Sequence, residues 1–119
     1  MDIRTRRIEE LIKIKLSSLL LTELKDPRLQ TFITILNIRL SRDGRFALVV
    51  VSVIGSEKEK KNALKGLESA SGYIQKRLSK EMRIRYIPKL RFKLDDSTEE
   101  RVKLVHRLSS LSRENEKDS

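Results

Sequence analysis

The nine residues Phe46-Ala-Leu-Val-Val-Val-Ser-Val-Ile54 are apolar at every position but Ser52 and rich in β-branched side chains. A run so short and continuous cannot span a membrane and suits a strand buried inside a sheet. Just before it, Asp43-Gly44 is a strong turn signal that makes the run the second arm of a hairpin. The first arm is Phe32–Ser41, FITILNIRLS. Its alternation slips: Ile33 and Ile35 share one parity, while Leu36, Ile38 and Leu40 share the other. The slip predicts a bulge near Ile35 and Leu36, or a strand covered on both faces.

Helices must cover such a sheet. From Arg4 to Leu24, apolar residues Ile8, Leu11, Ile12, Leu16, Leu19 and Leu20 recur at three- and four-residue spacing, one stripe of an amphipathic helix. Pro27 ends it, because proline disfavours helical geometry at the residue before it. After the hairpin, Ser56 and Glu59 have the spacing of a capping box. The stripe Leu64, Leu67, Ala70, Ile74 and Leu78 then predicts helix on both sides of Gly72. The small residues Ser69-Ala-Ser-Gly72 in its middle predict a kink, giving two helices in place of one. Pro88 opens a strand in which Leu90, Phe92 and Leu94 alternate with Lys89, Arg91 and Lys93, so its outer face is basic. Asp96 or Ser97 can cap a last short helix carrying Val102, Leu104, Val105, Leu108 and Leu111. The predicted organisation is one α+β domain over residues 1–111, in the order α-β-β-α-(kink)-α-β with a short C-terminal helix. A flexible charged tail over 112–119 follows.

Charge narrows the function. The chain of 119 residues has 27 Lys and Arg against 17 Asp and Glu. Lys58 to Lys93 alone holds twelve basic and three acidic residues, or +9, nearly the whole formal excess of +10. A cationic field gathered in one third of a chain suits a polyanion such as nucleic acid; an acidic protein partner is the alternative. Cysteine is absent, which excludes disulfides and thiolate metal sites. The amphipathic N-terminus has no apolar signal core, and no run reaches the roughly 20 residues of a membrane helix, so a cytoplasmic protein without membrane contact is expected. His106, the one histidine, sits in an amphipathic segment. Asp95-Asp96 and Glu99-Glu100 read as helix caps and dipole-favoured charges. With no P-loop, dinucleotide or zinc-protease motif, the sequence indicates no catalytic residue, no metal and no cofactor.

The candidate contact residues lie around the expected kink. Tyr73, Lys76, Arg77 and Lys80 are linked by three- and four-residue steps, beside Ser69, Ala70, Ser71 and Gly72. Two readings of the small residues stand: they admit an RNA backbone close to the peptide chain, or they let two helices pack tightly. Arg83 and Arg85 continue the basic series toward Lys89 and Arg91 on the last strand. With three Phe and two Tyr in all, phosphate and shape contacts should outweigh base stacking.

The order α-β-β-α-α-β resembles a type II KH domain, although its G-x-x-G loop is replaced here by Ala70-Ser71-Gly72. That replacement, with "ELKDPRL" (Glu23–Leu29), "LSRDGRFALVVVSVIG" (Leu40–Gly55) and the P-x-L-x-F-x-x-D pattern of Pro88, Leu90, Phe92 and Asp95, resembles the ribosome-binding factor A family from about Arg4 to Leu111. The resemblance implies a non-enzymatic, monomeric assembly factor of ribosome biogenesis. Such a factor binds the free small ribosomal subunit and its rRNA, assists rRNA maturation and 5′-end processing, and serves cold adaptation. It assigns Ala70, Ser71 and Gly72 to the kink.

Overall fold

The computed structural model describes residues 3–95. The predicted C-terminal helix, His106, the boundary at residue 111 and the tail lie outside the described residues. Helix α1 (Ile3–Thr22) is followed by a single 3-10 turn (Pro27–Leu29), strands β1 (Phe32–Leu40) and β2 (Phe46–Ile54), helix α2 (Glu57–Glu81) and strand β3 (Lys89–Leu94). The α+β class and the strand order are as the sequence predicts, and compatible with a KH-like arrangement.

The apolar run is β2, the middle strand of a β1-β2-β3 sheet. It pairs antiparallel with β1 through a hairpin in which Gly44 has φ +72°, a value that favours glycine. Its pairing with β3 is parallel, which requires a crossover, and α2 is that crossover. Ala47, Val49, Val51 and Val53 face the core and are essentially fully buried. On the opposite face Phe46, Leu48 and Ile54 stay 43%, 37% and 52% exposed, so the strand is central but thoroughly covered on one side only. The phase slip in β1 is a bulge: pairing shifts between Ile35 and Asn37, so Ile35 and Ile38, three apart, both reach the core.

Both helices lie against the valine face. From α1, Ile12, Leu16 and Leu19 are buried while Ile8 and Leu20 pack at the edge. Leu11, also in the predicted stripe, remains 41% exposed. The helix stops at Thr22, two residues before the predicted Leu24, and the chain then forms the 3-10 turn. Asp26 caps that turn by accepting from the Arg28 amide at 2.9 Å, and the Arg28 guanidinium returns to the same carboxylate at 2.6 Å. These bonds hold the Asp26 carboxyl below its ordinary pKa. Leu29 is thereby pushed against α2 at Gly66, where an added Cβ would meet the Leu29 side chain at 3.0 Å and Arg28 Cβ at 3.1 Å. Gly66 is the glycine that lets α2 pack tightly.

The expected division of this segment into two helices is corrected by the structure. α2 is helical at every residue from Glu57 to Glu81, and the expected pair of helices is one. Its start is fixed by the capping box, with the Glu59 amide donating to Ser56 Oγ and the Ser56 amide to Glu59 Oε1, both at 3.1 Å. The reason the helix survives its small-residue stretch is packing. Leu67, Ile74 and Leu78 keep one helical phase across Gly72 and are completely buried on the sheet. That burial outweighs the roughly 1 kcal/mol by which an interior glycine is less favourable than alanine. Ser71, which could compete for backbone bonds, donates its hydroxyl to the Glu68 carbonyl at 2.8 Å within the same helix.

Candidate nucleic-acid interface

With its apolar side on the sheet, α2 turns a second stripe to solvent. Lys58, Lys61, Lys65, Ser69, Gly72, Lys76 and Lys80 follow one another at steps of three or four residues, and all are exposed. At 1.5 Å per residue the row from Lys58 to Lys76 is about 27 Å long. Between Lys65 and Lys76 the side chains shrink to a hydroxymethyl and a hydrogen. Along this stripe, over about 16 Å, nothing larger than a serine stands between the two lysines, with exposed Glu68 and Tyr73 beside it.

Gly72 bears on the two readings of the small residues. Among the described residues, a Cβ built there would have nothing within 4 Å. Its φ is not positive, Gly44 being the one glycine so placed among the described residues. Glycine in a helix interior lowers stability by about 0.5–1 kcal/mol relative to alanine. Neither packing nor conformation among the described residues calls for it. What remains is the space itself, which lets a partner come within contact of the backbone. Ala70, by contrast, is half-buried against the core.

The other predicted residues do not form one ridge with this stripe. Tyr73 and Arg77 lean toward α1, where both donate to the Glu23 carboxylate, at 2.8 Å and 2.9 Å. Arg77 also lies 3.5 Å from Glu81, which pairs with Lys15 of α1 at 3.0 Å. This network clips the end of α1 to the middle of α2. The hydrogen bond to Glu23 raises the Tyr73 phenol pKa, because losing the proton would put two anions together. Arg77 Nε is buried without a hydrogen-bond partner. Arg83 and Arg85 stand beyond the end of α2 and line a pocket at that pole with Arg4, Arg42 and Tyr86. Lys89 and Arg91 are exposed and alternate with the buried Leu90 and Phe92, so they belong with Lys93 to the open face of the sheet, away from the helices. The strand nevertheless borders α2, and Lys89 and Arg91 share a groove with Glu68 and Ser71.

Lys58, Lys61 and Lys65 are missing from the set read from sequence. Their signal was available, since the same spacing carried back from Lys76 through Gly72 and Ser69 reaches each of them. Arg4, Arg42 and Tyr86 carried no such signal, being brought together only by tertiary structure. Among the described residues no group of three His, Asp or Glu side chains could hold a metal ion, and no helix is long and apolar enough to cross a membrane.

The family model for ribosome-binding factor A matches residues 4–108. The chain belongs to the ribosome-binding factor A family. Ribosome-binding factor A of Dictyoglomus thermophilum is 44% identical over 116 residues, covering 98% of this chain and 97% of that one. The crystal structure of ribosome-binding factor A from Thermus thermophilus superposes with a TM-score of 0.68 at 30% identity, over 76% of this chain and 93% of that one. The Thermus thermophilus factor as fitted into a cryo-EM map of its 30S complex gives 0.62 at 30% identity, with 76% and 93% covered.

Proposed function

We propose that this protein binds the small ribosomal subunit by laying the solvent side of α2 along ribosomal RNA, and that it acts there, in the cytoplasm and without catalysis, as an assembly factor. The observation that carries the reading is Gly72, exposed and unpacked in the middle of a lysine row. The lysines neutralise phosphates, and the bare backbone between them lets the sugar–phosphate chain settle closer than side chains would allow. Such contacts read shape and charge, as suits one RNA surface on a particle whose own fold supplies the specificity. The relative fitted into a 30S complex supports the choice of partner.

From the family we further assign this chain to maturation of the small-subunit RNA, including processing at its 5′ end, and to growth in the cold. RNA misfolds are longest-lived at low temperature, so a protein that holds one RNA arrangement would matter most there. The predicted contacts of Ser69, Ala70, Ser71, Lys76 and Lys80 stay in this proposal. Tyr73 and Arg77 contribute through the clip to Glu23, and Lys89 and Arg91 act where β3 borders α2.

Co-sedimentation with purified 30S subunits tests the reading. A Gly72→Leu variant gains helix propensity, and its Cβ meets nothing within 4 Å among the described residues, so it should unfold at a higher temperature than the parent. Its affinity for subunits should nonetheless fall about tenfold at ~0.1 M salt, the loss expected for one or two phosphate contacts. Undiminished binding by the stabilised variant would remove Gly72 from the interface.

A further inference from the structure

We infer that the pole where α1 begins, the hairpin turns and α2 gives way to β3 is a second RNA site, which takes an unstacked, single-stranded nucleotide at the end of the backbone track along α2. The inference rests on the proposed track but adds a different chemistry and a different class of RNA feature. Arg4 from α1, Arg42 from the β1–β2 turn, and Arg83 and Arg85 from the segment after α2 line one open pocket with Tyr86. Three distant stretches of chain thus line one place with four arginines.

The one acid among the described residues lining this pocket, Asp43, offsets only part of that charge and also lies 4.0 Å from Arg45. Asp43 accepts from Ser41 Oγ at 2.7 Å and from the Arg45 amide at 3.1 Å, bonds internal to the hairpin turn that hold its carboxyl below the ordinary range. Among the described residues, Arg42 and Arg83 have no ion-pair or side-chain hydrogen-bond partner. Arg42 and Arg83, held near other cations, would gain from an anion that enters.

The residue types change along the surface. The cations of the α2 stripe are all lysines, whereas those of this pole are all arginines. Lysine offers a hydrated point charge that suits a passing backbone. Arginine offers a flat fork that grips one phosphate through two bonds and stacks on a base. Tyr86 is 53% exposed, and Arg85 lies over its ring, 5.4 Å from the centroid. An exposed aromatic ring among arginines is the combination that receives a splayed base while its phosphate is held. Within the chain this ring buries little. Arg83 follows the end of α2, three residues past Lys80 in sequence.

Two RNA probes decide the matter: a short hairpin with blunt ends, and the same hairpin with a single-stranded tail carrying 2-aminopurine. The parent should bind the tailed hairpin more tightly and change the 2-aminopurine fluorescence. Tyr86→Ala should weaken the tailed complex about tenfold, abolish the fluorescence change and leave blunt-hairpin affinity as it was. Arg42→Ser and Arg83→Ser should each lower the salt slope for the tailed probe by about 0.7–0.9. Circular dichroism confirms folding, and Tyr86→Phe, which keeps the ring, should restore tail binding. Equal affinity of the parent for both probes, or an undisturbed fluorescence signal in Tyr86→Ala, overturns the inference. In that event, loss of blunt-hairpin binding in a Lys65→Ala, Lys76→Ala variant would show that the α2 track still stands. Competition by polyglutamate equal to that by RNA would also overturn it, marking a general anion surface.

Discussion

A variant carrying Lys58→Ala, Lys61→Ala, Lys65→Ala and Lys76→Ala should bind small-subunit RNA about a thousandfold more weakly at ~0.1 M salt while folding like the parent. Each phosphate neutralised contributes about 0.7–0.9 to the slope of log affinity against log salt, so four lysines account for about 3. Lines that differ in slope by about 3 and converge near 1 M salt are about three decades apart at ~0.1 M. Folding should persist because all four side chains are exposed, and among the described residues none makes an ion pair. Lys60 is the internal contrast. It lies on the buried side of α2, 4% exposed and 3.7 Å from Glu57, and is left unchanged in the variant. Filter binding over a range of salt concentrations gives both the slope and the affinity. A slope equal to the parent's would mean that these lysines face solvent in the complex.

Ile74→Ala should cost about 2–5 kcal/mol of folding stability, the range for truncating a large aliphatic side chain in a core. That is a large part of the roughly 5–15 kcal/mol available to a domain of this size. Ile74 is fully buried, two residues from a Gly72 that is fully outside, so one turn of α2 separates core from interface. Thermal unfolding should shift down by about 4–8 °C for each kcal/mol lost. A loss below about 1 kcal/mol would place Ile74 off the sheet, as a bend at Gly72 would do by lifting the second half of the helix.

What could be read from the sequence followed from periodicity. The alternation of β1, including its slip, gave the bulge between Ile35 and Asn37 because a side chain's face is fixed by its parity. The Ser56–Glu59 cap was legible because its partners are three residues apart. The division into two helices was misjudged because glycine and serine register as weak helix formers, while the burial of Leu67, Ile74 and Leu78 that overrides them depends on a sheet formed elsewhere in the chain. Likewise, Tyr73 and Arg77 share a helical surface with Lys76 and Lys80 on a helical wheel. Only the approach of Glu23, fifty residues earlier, turns the first two into a clip between helices. The four-arginine pole had no local signature, since its members span Arg4 to Arg85 and meet only when the sheet closes.

The chain contains no cysteine, so a hydroxyl-radical probe can be tethered at one chosen position. Ser69→Cys puts the probe on the bare stretch of α2, and Thr34→Cys puts it on the open face of the sheet; both native side chains are exposed. On 30S subunits, the probe at position 69 should cut the ribosomal RNA strongly at one locus and the probe at position 34 should cut it weakly or not at all. Strong cleavage from position 34 with none from position 69 would show that the protein meets the ribosome with its sheet and not with α2.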